Sequence, residues 1–77
     1  MKVQVFASLK EHFEQEFELA EPIQTVEALK AHLAAKNRAA GGILSVCRFA
    51  VDDAFVKDDY RLQRGDTICI LPPSSGG

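Results

Sequence analysis

Residues 2–7 alternate in polarity, with Val3 and Val5 on one side and Lys2, Gln4 and Phe6 on the other; residues 67–71 alternate again, Ile68 and Ile70 opposing Thr67, Cys69 and Leu71. A period of two is the mark of a half-buried strand. A chain of 77 residues has material for one core and not for two, because each domain must bury its own. The two ends therefore share that core, and one dominant helical stretch lies between them to cover it. Thr25 is placed to cap this helix, Glu27 sits in its positive first turn, and Val26, Leu29 and Leu33 fall on one face across residues 26–36.

The remaining segments fill in around this frame. Ser8 and Glu11 have the spacing of a capping box, so a short helix is expected over residues 8–15, with Leu9 and Phe13 packed together on its inner side. Phe17 and Leu19, with Ile23 just past Pro22, read as a second strand whose pairing the proline disturbs. Asn37 and the Gly41-Gly42 pair end the main helix and open a loop through about residue 45. Residues 46–51 are expected as a third strand with Cys47, Phe49 and Val51 inward. Asp52-Asp53 makes a tight turn into a short strand at 54–57, residues 58–60 turn again, and Leu62 anchors the chain before Gly65-Asp66.

Strands, one main helix and more strands around a single core make an α+β fold. The order fits a β-grasp: a mixed sheet of about four to five strands on one main helix plus a short one. In that layout the first and last strands lie side by side and parallel at the sheet centre, with the main helix on their Val3, Val5, Ile68, Ile70 face. Residues 1–73 form the domain, and residues 74–77 are expected as a flexible tail.

Composition narrows the function classes. With 47% apolar and 26% charged residues, neither disorder nor a fibrous repeat is a natural reading. Residues 1–9 lack the long apolar run of a signal peptide and no window approaches a membrane span, so a cytoplasmic home and no membrane contact are expected. A net charge of −2 without a basic block, no Trp and one Tyr argue against a nucleic-acid groove. Cys47 and Cys69 stand 22 positions apart without a CxxC pair, which reads as two reduced, half-buried thiols and no metal site.

Chemistry concentrates at the end of the sequence. Pro72-Pro73 removes two ladder donors and fixes an extended backbone, so pairing stops and the chain leaves the sheet. Ser74, Ser75, Gly76 and Gly77 then extend at most about 14 Å, enough to thread a narrow channel in a partner. Gly76 and Gly77 have no Cβ, so such a channel can close on bare backbone. The group delivered is the C-terminal carboxylate of Gly77. It is ionised at neutral pH and resists nucleophiles, so it needs activation, for which ATP suffices. Adenylation gives a mixed anhydride, and an incoming persulfide or sulfide sulfur converts it to a thiocarboxylate.

The segment Leu62-Gln63-Arg64-Gly65-Asp66-Thr67-Ile68-Cys69-Ile70-Leu71-Pro72-Pro73-Ser74-Ser75-Gly76-Gly77 resembles the end of the small subunit of molybdopterin synthase (MoaD), within the MoaD/ThiS superfamily of ubiquitin-like sulfur carriers. Val3-Gln4-Val5-Phe6-Ala7, Thr25-Val26-Glu27-Ala28-Leu29 and Phe49-Ala50-Val51-Asp52 extend the resemblance over nearly the whole chain, although the family more often has Asn where Asp52 stands. The resemblance implies a non-catalytic, sulfur-donating subunit with Gly77 as the reactive residue and no bound cofactor. Its implied partners are an adenylating enzyme of the ubiquitin-activating type, which uses ATP, a sulfur donor protein, and the large synthase subunit that holds the pterin precursor, the last in a heterotetramer.

Phe6 and Leu71 lie on the outer side of their strands and outside the core set. Adjacent parallel strands bring them together at the base of the tail, where Phe55 can join them, and an exposed apolar patch marks a docking surface. The resemblance assigns the partner contact to positions matching Phe6, Phe55 and Leu71, followed by Pro72, Pro73, Ser74, Ser75 and Gly76. His12 and His32 lack nucleophile partners; Asp52, Asp53, Asp58 and Asp59 lack the pattern of a calcium loop and read as solvated turns. Arg64-Gly65-Asp66 reads as a turn, and Gly41-Gly42, without the Lys of a phosphate loop, as a flexible linker. Two other functions share this tail: sulfur delivery to thiazole, a tRNA base or cysteine, and protein modification through an isopeptide bond.

Overall fold

A computed structural model of the chain describes residues 1–73. At its centre β1 (Lys2–Val5) runs parallel to β5 (Thr67–Leu71), with Val3 opposite Ile68 and Val5 opposite Ile70. This register puts all four apolar side chains on one face, where each is fully buried; each such burial stabilises the fold by about 1.5–3 kcal/mol. β2 (Glu16–Glu18) pairs antiparallel with β1, β3 (Arg48–Val51) antiparallel with β5, and β4 (Ala54–Val56) antiparallel with β3. The five-stranded sheet thus has the order β2-β1-β5-β3-β4, the β-grasp arrangement expected from the sequence.

Helix α1 (Val26–Lys36) covers the buried face. Thr25 takes an extended conformation and its Oγ1 accepts the Ala28 N–H at 3.1 Å, which satisfies one of the orphan donors of the first turn. Val26, Leu29 and Leu33 are fully buried. The segment 58–60 does more than turn: it clamps the start of α1. Val26 N–H donates to the Tyr60 carbonyl at 3.2 Å and Glu27 N–H to that of Asp58 at 3.0 Å, while Lys30 Nζ reaches Asp58 Oδ1 at 2.7 Å. Leu62 is buried as expected, its N–H donating to Gln24 at 2.8 Å.

Several expectations are corrected. The helix of residues 8–15 is a single 3₁₀ turn, Ala7–Glu11, and the capping box does not form. Phe6 occupies the N-cap position and Ala7 has φ 54°, which turns the chain before Ser8 can cap anything. Little room exists for more, because Val5 N–H already donates to Gln15 at 2.9 Å and the chain must reverse into β2. Leu9 is fully buried and Phe13 half-buried. The second strand is confined to Glu16–Glu18, so that Phe17 lies opposite Val3 while Leu19 and Ile23 fall beyond it.

Gly41-Gly42 is not a flexible linker. A 3₁₀ turn (Arg38–Ala40) passes directly into helix α2 (Gly41–Leu44), with Gly41 at φ −57°. Ala40 and Leu44 plug the core from this segment, and their burial outweighs the weak helix propensity of the glycines. The third strand starts at Arg48, not at residue 46, and β4 stops at Val56, one short of Lys57. Cys47, Phe49 and Val51 point inward as expected. Asp52 and Asp53 form the β3–β4 turn with φ 53° and 66°, the two positive values of the hairpin turn whose twist matches that of the strands.

Candidate functional site

The sheet face turned away from α1 carries the side chains that alternate with the core. Cross-strand pairing arranges them in rows: Gln4, Cys69, Ala50 and Phe55 are successive partners across β1, β5, β3 and β4. The next row, at the end where β5 leaves the sheet, holds Leu71 opposite Arg48, with Phe6 one step beyond the Val5–Ile70 pair. Phe6, Ala50, Asp53, Phe55, Cys69 and Leu71 line one shallow depression. The structure therefore brings together the three apolar residues expected to form a patch. Phe6 and Leu71 are half-buried by their neighbours, whereas Phe55 is 56% exposed.

β5 ends at Leu71, Pro72 is half-buried and Pro73 is exposed. Two successive residues without an N–H cannot continue the ladder, so the chain departs from the sheet beside the apolar patch. The expectations for Ser74, Ser75, Gly76 and Gly77 lie outside the described residues.

Two contacts on this face were missed in the sequence. The Cys69 thiol donates to Gln4 Oε1 at 3.4 Å, and the Arg48 guanidinium stacks on Phe55, 4.0 Å from the ring centroid. Alternation along residues 46–51 puts Arg48 and Ala50 on the outward side. Only the β3–β4 register, set by the Asp52-Asp53 turn, puts Arg48 within reach of Phe55.

Among the described residues, the remaining reactive groups form no catalytic constellation with this face. Burial raises both thiols above the ordinary cysteine range, and at Cys69 the nearby Asp53 carboxylate adds to the effect; neither is in a disulfide. His32 Nε2 lies 3.7 Å from a Glu21 carboxylate oxygen, which Lys36 Nζ also approaches to 3.8 Å. A backbone hydrogen bond at Glu21, followed by the neighbouring Lys36 and His32 side chains, holds that carboxyl below its usual range. The His12 carbonyl accepts the Asn37 side-chain amide at 2.9 Å. Among the described residues, no group of three or more His, Cys, Asp or Glu side chains is placed to hold a metal ion, and no helix is long and apolar enough to cross a membrane.

Comparison with known proteins sets this geometry in context. A family model described as the ThiS family matches residues 3–77. The molybdopterin synthase sulfur carrier subunit of Chlamydomonas reinhardtii is 37% identical over 82 aligned positions, covering 100% of this chain and 98% of the relative. Among solved structures, a chain from the complex of subunits 1 and 2 of the molybdopterin-converting factor of Helicobacter pylori superposes with a TM-score of 0.69 at 27% identity, covering 99% of this chain and 96% of that one. SAMP1 from Haloferax volcanii superposes with a TM-score of 0.74, covering 99% of this chain and 97% of its own; at 17% identity it speaks to the fold alone.

Proposed function

The chain belongs to the ThiS family, and from that membership we propose that it is a sulfur carrier, the small subunit of a molybdopterin synthase, with the C-terminal carboxyl of Gly77 as the group that bears the sulfur. The observation that carries this reading is the apolar face of Phe6, Phe55 and Leu71 set at the point where Pro72-Pro73 leaves the sheet. A partner seated on that face receives the tail at a fixed position. The full-length similarity to a sulfur carrier subunit supports the same role, and the Helicobacter pylori complex supports a large subunit as the partner.

In this reading the chain is a reactant passed between enzymes and contributes no catalytic side chain. An adenylating enzyme of the ubiquitin-activating type uses ATP: the Gly77 carboxylate attacks the α-phosphorus and pyrophosphate leaves. A sulfur donor then supplies sulfide, or the terminal sulfur of a persulfide, which attacks the acyl carbon and expels AMP. With a persulfide, a further thiol cleaves the acyl disulfide to free the thiocarboxylate. The large subunit holds the pterin precursor and takes the sulfur through the inserted tail of Pro72, Pro73, Ser74, Ser75, Gly76 and Gly77. This sequence of steps belongs in the cytoplasm, where ATP and thiol reductants are both available.

Intact mass spectrometry of the protein purified from its own cells tests the proposal. The expected species is heavier than the sequence mass by the difference between sulfur and oxygen, and is lost when Gly77 is deleted. Incubation with the large subunit and pterin precursor should then return the carboxylate form. A ladder of conjugates to other proteins, with no thiocarboxylate, would instead make the chain a protein modifier.

A further inference from the structure

The docking face is not purely apolar. Arg48 is exposed and sits in the row beside Leu71, with its guanidinium carbon over the Phe55 ring, 4.0 Å from the centroid. A guanidinium that rests on an aromatic ring by its face keeps its N–H donors, which lie in its plane, available for other partners. Among the described residues Arg48 makes no ion pair, and neither does Lys57, which lines the adjoining depression with Arg48 and Phe55. The acid of that depression, Asp58, is taken by Lys30 at 2.7 Å. Among the described residues of a protein of net charge −2, two cations outside any ion pair thus stand beside the patch; Asp53 lines the patch itself without pairing with either, and Glu16 and Glu18 lie in β2 at the opposite edge.

Burial of Phe55 and Leu71 by a partner must also desolvate Arg48, because one touches it and the other is its cross-strand neighbour. A buried cation without a counter-charge is strongly destabilising, so a partner that covers the patch has to supply an anion there. A planar guanidinium held on an aromatic ring suits a carboxylate taken by two parallel N–H···O bonds. Resting on the synthase reading above, we propose that Arg48, preorganised by Phe55, recognises a carboxylate side chain on the large subunit, beside the entrance of the channel that takes the tail. Phe55 acts in this as the platform, and Lys57 adds to the local positive field.

Equilibrium binding of the large subunit, measured at several salt concentrations, tests this with wild type, Arg48→Met, Arg48→Lys and Lys10→Gln. Met keeps a long apolar side chain over the ring and removes the charge; Lys10, exposed in the 3₁₀ turn, controls for net charge. Arg48→Met should raise Kd by about tenfold or more and flatten its salt dependence, while Arg48→Lys keeps the salt dependence with a smaller loss of affinity. Lys10→Gln should match wild type. If Arg48→Met binds within twofold of wild type with the same salt dependence, the carboxylate contact is overturned while the synthase role stands. A loss confined to binding of the adenylating enzyme overturns the large-subunit assignment. Failure of the wild type to bind the large subunit at all overturns the synthase reading and this inference with it.

Discussion

Gln4 and Cys69 face one another across the parallel β1–β5 pair, and the thiol donates to Gln4 Oε1 at 3.4 Å. The contact lies in the middle of the sheet face turned away from α1. It joins the first strand to the last on the side that α1 does not cover, and Cys69 lines the depression formed with Phe6 and Leu71. Reactivity at Cys69 therefore reports on this face directly.

Burial raises both thiols, so the folded state holds their protons more tightly than the unfolded chain does. Stability from this source is fully present below the unfolded thiol pKa of about 8.5 and is lost as pH rises through the folded value. Denaturant titrations from neutral to alkaline pH should show this loss, and Cys47→Ala should reduce its slope. Alkylation followed by mass spectrometry should modify half-buried Cys69 before buried Cys47, both more slowly at neutral pH than an unfolded control. Bound large subunit should protect Cys69.

Phe6 and Leu71 are half-buried against the sheet and outside the core. Replacing both by Ala should cost about 1 kcal/mol or less of stability for each position, the size of a cross-strand contact. The same double variant should weaken large-subunit binding by about 2 kcal/mol or more, as expected of anchors at an interface centre. Calorimetric binding and thermal melts on the same samples check both; a stability loss exceeding the binding loss would put these residues in the core.

Ala7 and Asp53 hold φ of 54° and 66°, a region that costs an L-residue about 1–2 kcal/mol. Glycine relieves the strain and gives back part of the gain through the greater freedom of the unfolded chain. Ala7→Gly and Asp53→Gly should each stabilise the domain by about 0.5–1 kcal/mol, which appears as a melting temperature higher by about 2–8 °C. Ala7→Val should do the reverse.

Leu33 is fully buried where α1 meets the sheet. Leu33→Ala leaves a cavity and should cost about 2–5 kcal/mol, a large share of the stability of a domain this size. Urea unfolding should show a lower midpoint with an unchanged slope.

The sheet centre and main helix were legible because their signals are local and strong. Alternation fixed the faces of β1 and β5, and Thr25 with Val26, Leu29 and Leu33 marked α1 from cap to core. The opening helix misled because a capping-box spelling at Ser8 and Glu11 says nothing of the backbone at Ala7, whose positive φ arises from the need to reverse into β2. At Gly41-Gly42, burial of Ala40 and Leu44 outweighed local propensity. The candidate site was half legible. Phe6, Leu71 and Phe55 stood out as apolar residues on polar sides of strands, but the Arg48–Phe55 and Gln4–Cys69 contacts depend on register between strands, which no single segment encodes.

The central place of β5 has a consequence for biosynthesis. This strand is the last of the five to be synthesised, yet β1 and β3 pair only through it. A nascent chain that has made everything before residue 67 holds two hairpins with no strand to join them. Phe6 and Phe55 then sit on separate fragments, and no surface exists for a partner to grip. Possession of an intact tail base thus certifies a fully folded molecule.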